Sequence, residues 1–386
     1  MRVVYFTESL YPLVDGVSRT LARLFDTLLL DRIDFRVISP FRPPAQVPWQ
    51  DRVFVVPYLR FPPYPDYRVS RPGGRALESA LEEFDPEIVH VVSPTPMAIW
   101  AQRYARRSAI PSVASFHTDF VSYFRYYRVR PLERFGWAAL RWFYHRSDRI
   151  YAPTETVARE LREQGIGPVE LWSRGIDLDA YNPRHRDQEL RGKLGVDDSL
   201  PLLLLVSRLV KEKDLADLVG IERELRARGV PFHLALVGDG PMREELEAAL
   251  PDATFAGQQT GAELARWYAS ADVFVFPSTT ETLGNVVLEA LASGVPAVVV
   301  DRGGPQDLVR DGENGYVAPA NDIVGISDRL ERLLRDRTLR RSMGEAARRS
   351  ASGRDWHTIN RDLVSSYERL LRERAIAHRT GTGVEG

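Results

Sequence analysis

Residues 273–304 read VFVFPSTTETLGNVVLEALASGVPAVVVDRGG. The runs at 273–276 and 297–300 are short, unbroken and rich in valine, which is how a strand covered on both faces appears in sequence. Between them lies an apolar helical stretch from Leu283, left through Gly294 and Pro296. Strand, helix and strand in that order form a crossover unit, so this part of the chain builds a parallel sheet.

The same rhythm runs outward in both directions. Upstream stand PLLLLVS at 201–207, a helix from Asp214, FHLALVG at 232–238, a helix from Pro241, ATFAG at 253–257 and a helix from Gly261. The first half repeats it with RVVYF, a helical VSRTLARLFDTLLL, FRVIS, EIVHVV, SVASF and RIYAP. The pattern pauses at WSRGIDLDAYNPRHRD, where Gly, Pro, Asn and charged residues break both periods. The expectation is therefore two doubly wound α/β domains, residues 1–172 and 200–355, with a linker at 173–199. The amphipathic stretch 356–374 is expected to cross back and brace the first domain, and the polar tail 375–386 to be disordered. A length of 386 residues suits two domains with a cleft between them.

Composition narrows the function classes. With 44% hydrophobic and 27% charged residues the chain is an ordinary globular protein, and a net charge of -1 excludes nucleic acid as the main partner. The absence of cysteine excludes disulfides, thiolate metal sites and cysteine nucleophiles. The opening MRVVYFTESLYP reads as a strand entering a loop rather than an export signal, and no segment is apolar enough to span a membrane. A cytoplasmic protein, with at most peripheral contact with the inner face of the membrane, is expected.

Open α/β sheets bind ligands beyond the carboxyl ends of their strands, so the residues just after strands carry the chemistry. In the first such loop Gly16 precedes a helix, a position that serves either a ligand or an ordinary turn. In the second half SRLVKEKDL places Arg208 directly after a strand and Lys213 near a helix start. Lysine occurs only at 193, 211 and 213, so these two cations stand out as a pair able to neutralise a diphosphate leaving group without a metal. GDGPM at 238–242 lacks the third glycine and the ribose acid of a dinucleotide site and reads as a tight turn. Asp177 and Asp179, inside the irregular stretch, read as a turn rather than as metal ligands. Glu281 sits in the loop after a strand, where its carboxylate can bind sugar hydroxyls, while Glu289, eight residues on, can take a ribose diol. The amides of Leu283, Gly284 and Asn285 between them suit phosphate.

At this segment the sequence resembles glycosyltransferase family 4, retaining enzymes of the two-domain GT-B fold whose signature is two glutamates separated by seven residues, then a small-residue helix and a Gly-x-Pro turn. Here these are Glu281, Glu289, Gly294 and Pro296. The resemblance extends through Gly16, His117, Arg208 with Lys213, the GDG turn and DGENG at 311–315. It implies that Arg208 and Lys213 grip the diphosphate, that Glu289 binds the ribose and that Glu281 orients the hexose. Gly16, Gly238, Thr282, Leu283, Gly284 and Asn285 complete the donor site, and His117 lies beside the reacting centre. Retention in the family is described as same-face substitution in which the leaving phosphate deprotonates the acceptor, so no cofactor or metal is expected. Three positions depart from the family pattern: Asp15-Gly16 in place of two glycines, Asp214 in place of a glycine, and Pro305 onward in place of a glutamate after Gly303-Gly304. These variants are similar to the branch of lipid mannosyltransferases and sulfolipid synthases. By resemblance the donor is GDP-mannose, with UDP-linked glucose, galactose or sulfoquinovose as alternatives.

Between Phe120 and Arg149 seven arginines and only two acids are interleaved with aromatic rings. That mixture suits a bilayer headgroup region, and equally an arginine-rich helix packed on its own domain. A lipid or glycan acceptor at an anionic membrane is expected, with Asp119, Arg125, Arg128, Arg130 and Arg141 as its candidate contacts. A nucleotide sugar epimerase and a non-catalytic sugar-binding protein are the competing functions; the glutamate pair favours transfer over the first, and the opening stretch, which does not read as an export signal, argues against the second.

Overall fold

A computed structural model describes residues 1–13, 15–61, 64–71, 73–117 and 130–380. Asp119, Arg125, Arg128, the Arg130 side chain and the last six residues lie outside the described set.

Two compact units are present. One gathers the described residues up to Arg174 together with the helix Trp356–Thr380, and the other runs from Gly175 to Asp355. The first unit holds a seven-stranded sheet in the spatial order Val53–Val55, Asp34–Ser39, Arg2–Phe6, Ile88–Val91, Ser112–Ser115, Arg149–Ala152 and Val169–Leu171. Every pairing in it is parallel. A separate antiparallel pair, Tyr58–Phe61 with Tyr64–Ser70, accompanies it. The second unit holds six parallel strands in the order Thr254–Phe255, His233–Val237, Leu202–Val206, Val273–Phe276, Ala297–Val300 and Gly315–Ala318.

The unbroken apolar strands have a direct cause. In the second unit Leu202, Leu204, Val206, Phe274, Phe276, Ala297 and Val299 enter one core. Their neighbours Leu203, Leu205, Val273, Val275, Val298 and Val300 enter another on the opposite face. Alternate side chains point to opposite faces, so a sheet buried on both sides must be apolar at every position. Each such fully buried side chain contributes about 1.5–3 kcal/mol.

The order of strands also fixes where ligands can bind. In each unit the first strand in sequence, Arg2–Phe6 or Leu202–Val206, lies inside the sheet, and the chain winds away from it in both directions. Loops leaving the two strands at that reversal diverge to opposite faces and open a crevice. In the second unit those loops follow Val206 and Phe276, and they carry Arg208, Lys213 and Glu281.

Two expectations about the connections are corrected. The stretch 173–199 is not an open linker: from Gly175 it belongs to the second unit and folds into a 3-10 turn, Pro183–His185, and a helix, Gln188–Lys193. Arg186 and Arg191 pin it there by ion pairs to Asp272 at 2.7 and 2.8 Å. The last helix runs to Thr380 rather than stopping at 374, so residues 375–380 are helical. Its Leu363, Val364, Tyr367 and Leu370 enter the core of the first unit. Asn360 donates to the Arg23 carbonyl and the Thr27 hydroxyl at 3.1 and 3.0 Å and accepts from the Trp172 indole at 3.3 Å. Below them His90 is held between the Tyr367 hydroxyl and Ser115, each at 2.5 Å, and burial pushes its imidazole down to about 3. His90 is a neutral structural group there.

Candidate functional site

The site of the second unit is assembled from three loops. Lys213, buried, forms an ion pair with the partly exposed Glu281 carboxylate. The two are brought together by Asp214. Its carboxylate accepts from the Thr279 amide and the Thr279 hydroxyl, both at 2.8 Å, while the Thr280 hydroxyl donates to the Glu212 carbonyl at 2.9 Å. Asp214 has a φ of +53°, a left-handed conformation for which glycine is the usual choice. Here an aspartate accepts about 1 kcal/mol of backbone cost and returns two charge-assisted bonds. That accounts for the departure at position 214.

Glycines pack these loops onto one another. A Cβ at Gly304 would lie 2.0 Å from the Thr282 carbonyl oxygen, and at Gly303 2.5 Å from that of Glu281. The Gly304 amide donates to the Glu281 carbonyl at 2.8 Å. Gly238 plays the same part beneath the cationic loop, since a Cβ there would sit 1.8 Å from the Ser207 carbonyl oxygen. Its role in the structure is close backbone approach. Arg208 follows that point with its side chain 68% exposed and 3.9 Å from Glu212, free to swing toward an anion.

Glu289 lies in the helix Asn285–Ala292, which begins after Gly284 rather than at Leu283. The Tyr268 hydroxyl donates to its Oε2 at 2.8 Å. Burial, reinforced by the Glu289 charge, pushes the Tyr268 phenol well above its ordinary range, so the phenol stays protonated and remains a donor. Asp177 accepts from the amides of Asp179 and Ala180 at 3.2 and 3.0 Å, an Asx turn as the sequence suggests. Among the described residues no three His, Asp or Glu side chains are grouped to hold a metal.

Gly16 and His117 belong to the first unit. Gly16 opens the helix Gly16–Leu30, capped by Asp15, whose carboxylate accepts from the Ser18 amide and from Ser9, both at 2.7 Å. The second departure from the family pattern is thus an N-cap, worth about 1 kcal/mol. His117 follows the strand Ser112–Ser115 and is buried against Trp172, ring centroids 5.4 Å apart. Its Nδ1 accepts from Arg174 Nη2 at 3.0 Å. Burial pushes the Arg174 guanidinium down to about 10, opposed by the charge of Asp15. His117 is pushed well below the ordinary imidazole range, first by burial and then by the Arg174 charge.

Sequence reasoning missed Arg174 and Tyr268. Arg174 stands three residues beyond the strand Val169–Leu171, and the rule that chemistry follows strand ends could have found it. Tyr268, inside the helix Gly261–Ser270, gave no local signal. Glu8 was missed as well: it is buried after the first strand, and burial pushes its carboxyl up to about 7 against the pull of the Thr95 and Ser70 hydroxyls.

The helix Arg130–Tyr144 divides its faces. Trp137, Leu140, Phe143 and Tyr144 are buried, while Phe135 and Trp142 are 72% and 45% exposed. Arg141 is half-buried. Arg146 covers the Trp142 ring at 3.6 Å. Burial and then the neighbouring Arg106 and Arg103 charges push the Arg146 guanidinium down, which marks a local cluster of cations.

Residues 14–180 match the family described as Glycosyltransferase Family 4, and residues 186–350 match Glycosyl transferases group 1. The chain is 36% identical over 382 residues to a GDP-mannose-dependent alpha-mannosyltransferase of Mycolicibacterium smegmatis, covering 97% of this chain and 99% of the relative. It is 35% identical over 288 residues to the sulfoquinovosyl transferase of Arabidopsis thaliana, covering 72% of this chain and 56% of that one. Its fold matches the crystal structure of Anabaena HepE in complex with UDP, with a TM-score of 0.76 at 17% identity over 96% of this chain and all of the other.

Proposed function

The chain belongs to glycosyltransferase family 4, and on that premise we propose that it is a retaining mannosyltransferase that uses GDP-mannose and a lipid-borne acceptor. The observation that carries the site is the Lys213–Glu281 ion pair at the strand reversal of the second unit, beside the exposed Arg208. Arg208 and Lys213 neutralise the diphosphate as the glycosidic bond breaks, which makes a metal unnecessary. Glu281, fixed by Lys213 on one side and by the Gly303-Gly304 backbone on the other, accepts hydroxyls of the hexose. Glu289, held by Tyr268, accepts from the ribose diol. The amides of Thr282, Leu283, Gly284 and Asn285 face phosphate, and Gly238 supports the cationic loop. The identity to the mycobacterial mannosyltransferase supports GDP-mannose; that to the plant enzyme keeps a UDP-linked sugar as the alternative. Both relatives are named transferases, which favours transfer over epimerisation or passive sugar binding.

Calorimetry with GDP and UDP, with and without chelator, tests the donor site. GDP is expected to bind the wild type in chelator and to bind Glu289→Ala about 10- to 100-fold more weakly, as loss of a charged hydrogen-bond acceptor implies. Binding of UDP alone would transfer the assignment to a UDP-sugar, and binding of neither would defeat it.

The outer face of the helix Arg130–Tyr144 supports an acceptor presented at a membrane. Phe135 and Trp142 are exposed on a helix that also carries Arg134 and Arg141, Arg146 lies over the Trp142 ring, and the Arg106 and Arg103 charges act on Arg146. This combination lets rings enter the headgroup layer while guanidinium groups meet lipid phosphate. No helix among the described residues is long and apolar enough to cross a bilayer. The protein is expected to pellet with vesicles rich in anionic lipid and to be released by salt. Equal recovery in the supernatant with anionic and neutral vesicles would remove this part of the proposal.

A further inference from the structure

We propose that Arg174 is a positioning residue that holds His117 as the neutral tautomer protonated on Nε2, so that His117 takes part in transfer as a hydrogen-bond donor and never as a proton acceptor. This rests on the transferase function proposed above.

The geometry starts from a property of arginine: a guanidinium has five N–H donors and no acceptor. Arg174 Nη2 stands 3.0 Å from His117 Nδ1. A proton on Nδ1 would set two donors against each other at that distance, so Nδ1 must be the acceptor and the ring proton must reside on Nε2. An imidazolium is excluded on the same ground, because it would carry the Nδ1 proton and place a second positive charge beside a buried cation. The charged group is built in rather than incidental. Arg174 is 4% exposed, and the nearby charge of Asp15 offsets part of its desolvation. The His117 ring also meets Trp172, and among the described residues His90, itself neutral, adds its electrostatic effect to that of Arg174.

The consequence for transfer concerns the proton. The bond from sugar C1 to the phosphate oxygen breaks, a bond from C1 to the acceptor oxygen forms, and the acceptor proton must leave. With Nδ1 occupied and Nε2 already protonated, His117 has no lone pair to receive it. That agrees with the family mechanism given above, in which the proton passes to the departing phosphate oxygen, and it leaves the Nε2–H as the group through which His117 can act.

The test uses full-length protein with 15N-labelled histidine, in which long-range 1H–15N correlations separate the two tautomers and the cation. There are seven histidines, and His117→Gln identifies the signal. Wild-type His117 is expected to show the pure Nε2–H pattern at neutral and alkaline pH, because burial and the Arg174 charge push its titration well below the ordinary imidazole range. Arg174→Met is expected to lose that purity and to lower kcat about 10- to 100-fold with little change in donor KM. Arg174→Lys, which keeps a donor-only cation, is expected to restore part of both. A wild-type ring protonated on Nδ1 overturns the proposal, as does an Arg174→Met protein whose His117 pattern and kcat match the wild type. Because the spectrum is read without substrate, an inactive wild type showing the Nε2–H pattern would discredit the transferase assignment and leave the Arg174 contact intact.

Discussion

Replacing Lys213 by alanine is expected to lower kcat by about 100- to 1,000-fold, the range seen when one fixed donor to a developing charge is removed. Two effects act together. The diphosphate loses a cation held in place by a partly buried ion pair, and Glu281 is left as an uncompensated carboxylate next to the leaving group. Glu281→Gln alone is expected to cost less, because Lys213 then still faces the phosphate. In the double variant the like-charge penalty disappears, so its loss should be smaller than the product of the two single losses. Steady-state kinetics of all four proteins measure this directly. Strictly multiplicative effects would mean that the two side chains act independently and that their pairing has no part in turnover.

Gly304→Ala is expected to cost about 100-fold in turnover, the scale associated with moving a reacting group by an ångström, together with a clear fall in Tm. A Cβ at this position would lie 2.0 Å from the Thr282 carbonyl oxygen, 2.5 Å from its carbon and 2.7 Å from Leu283 Cα. All three are backbone atoms, so no rotamer change can relieve the overlap. The loop from Glu281 to Leu283 must retreat, and with it goes the bond from the Gly304 amide to the Glu281 carbonyl. Gly192→Ala is the control. Its Cβ meets nothing within 4 Å, and in the helix Gln188–Lys193 alanine should be neutral or stabilising by up to about 1 kcal/mol. A Gly304→Ala enzyme with wild-type kcat and Tm would show that the loop is not held by this contact.

The alternation of apolar runs and amphipathic stretches was sufficient for the doubly wound architecture, because burial on both faces leaves a mark at every strand position. Arg208, Lys213, Glu281 and Glu289 could be singled out as candidates for a related reason. Each stands just after a strand or in the helix that such a loop opens, and in a parallel sheet that place is already the ligand-binding edge. Even the boundary errors were local: a stretch rich in Gly, Pro and Asn at 173–199 looked like a linker because composition reports the absence of a period, not what the segment packs against.

What the sequence by itself determined, then, is the fold and the loops in which chemistry collects, since both depend on residues near one another in the chain. Only the tertiary structure decided the pairings. Arg174 meets His117 across 57 positions, Asp214 ties down Thr279 across 65, and Tyr268 fixes Glu289 from a neighbouring helix. A hydrogen bond requires approach to within about 3 Å with the donor aimed at the acceptor, and no periodicity records which distant side chains satisfy it. The proposed tautomer of His117 and the hydrogen bond that holds Glu289 follow from such contacts.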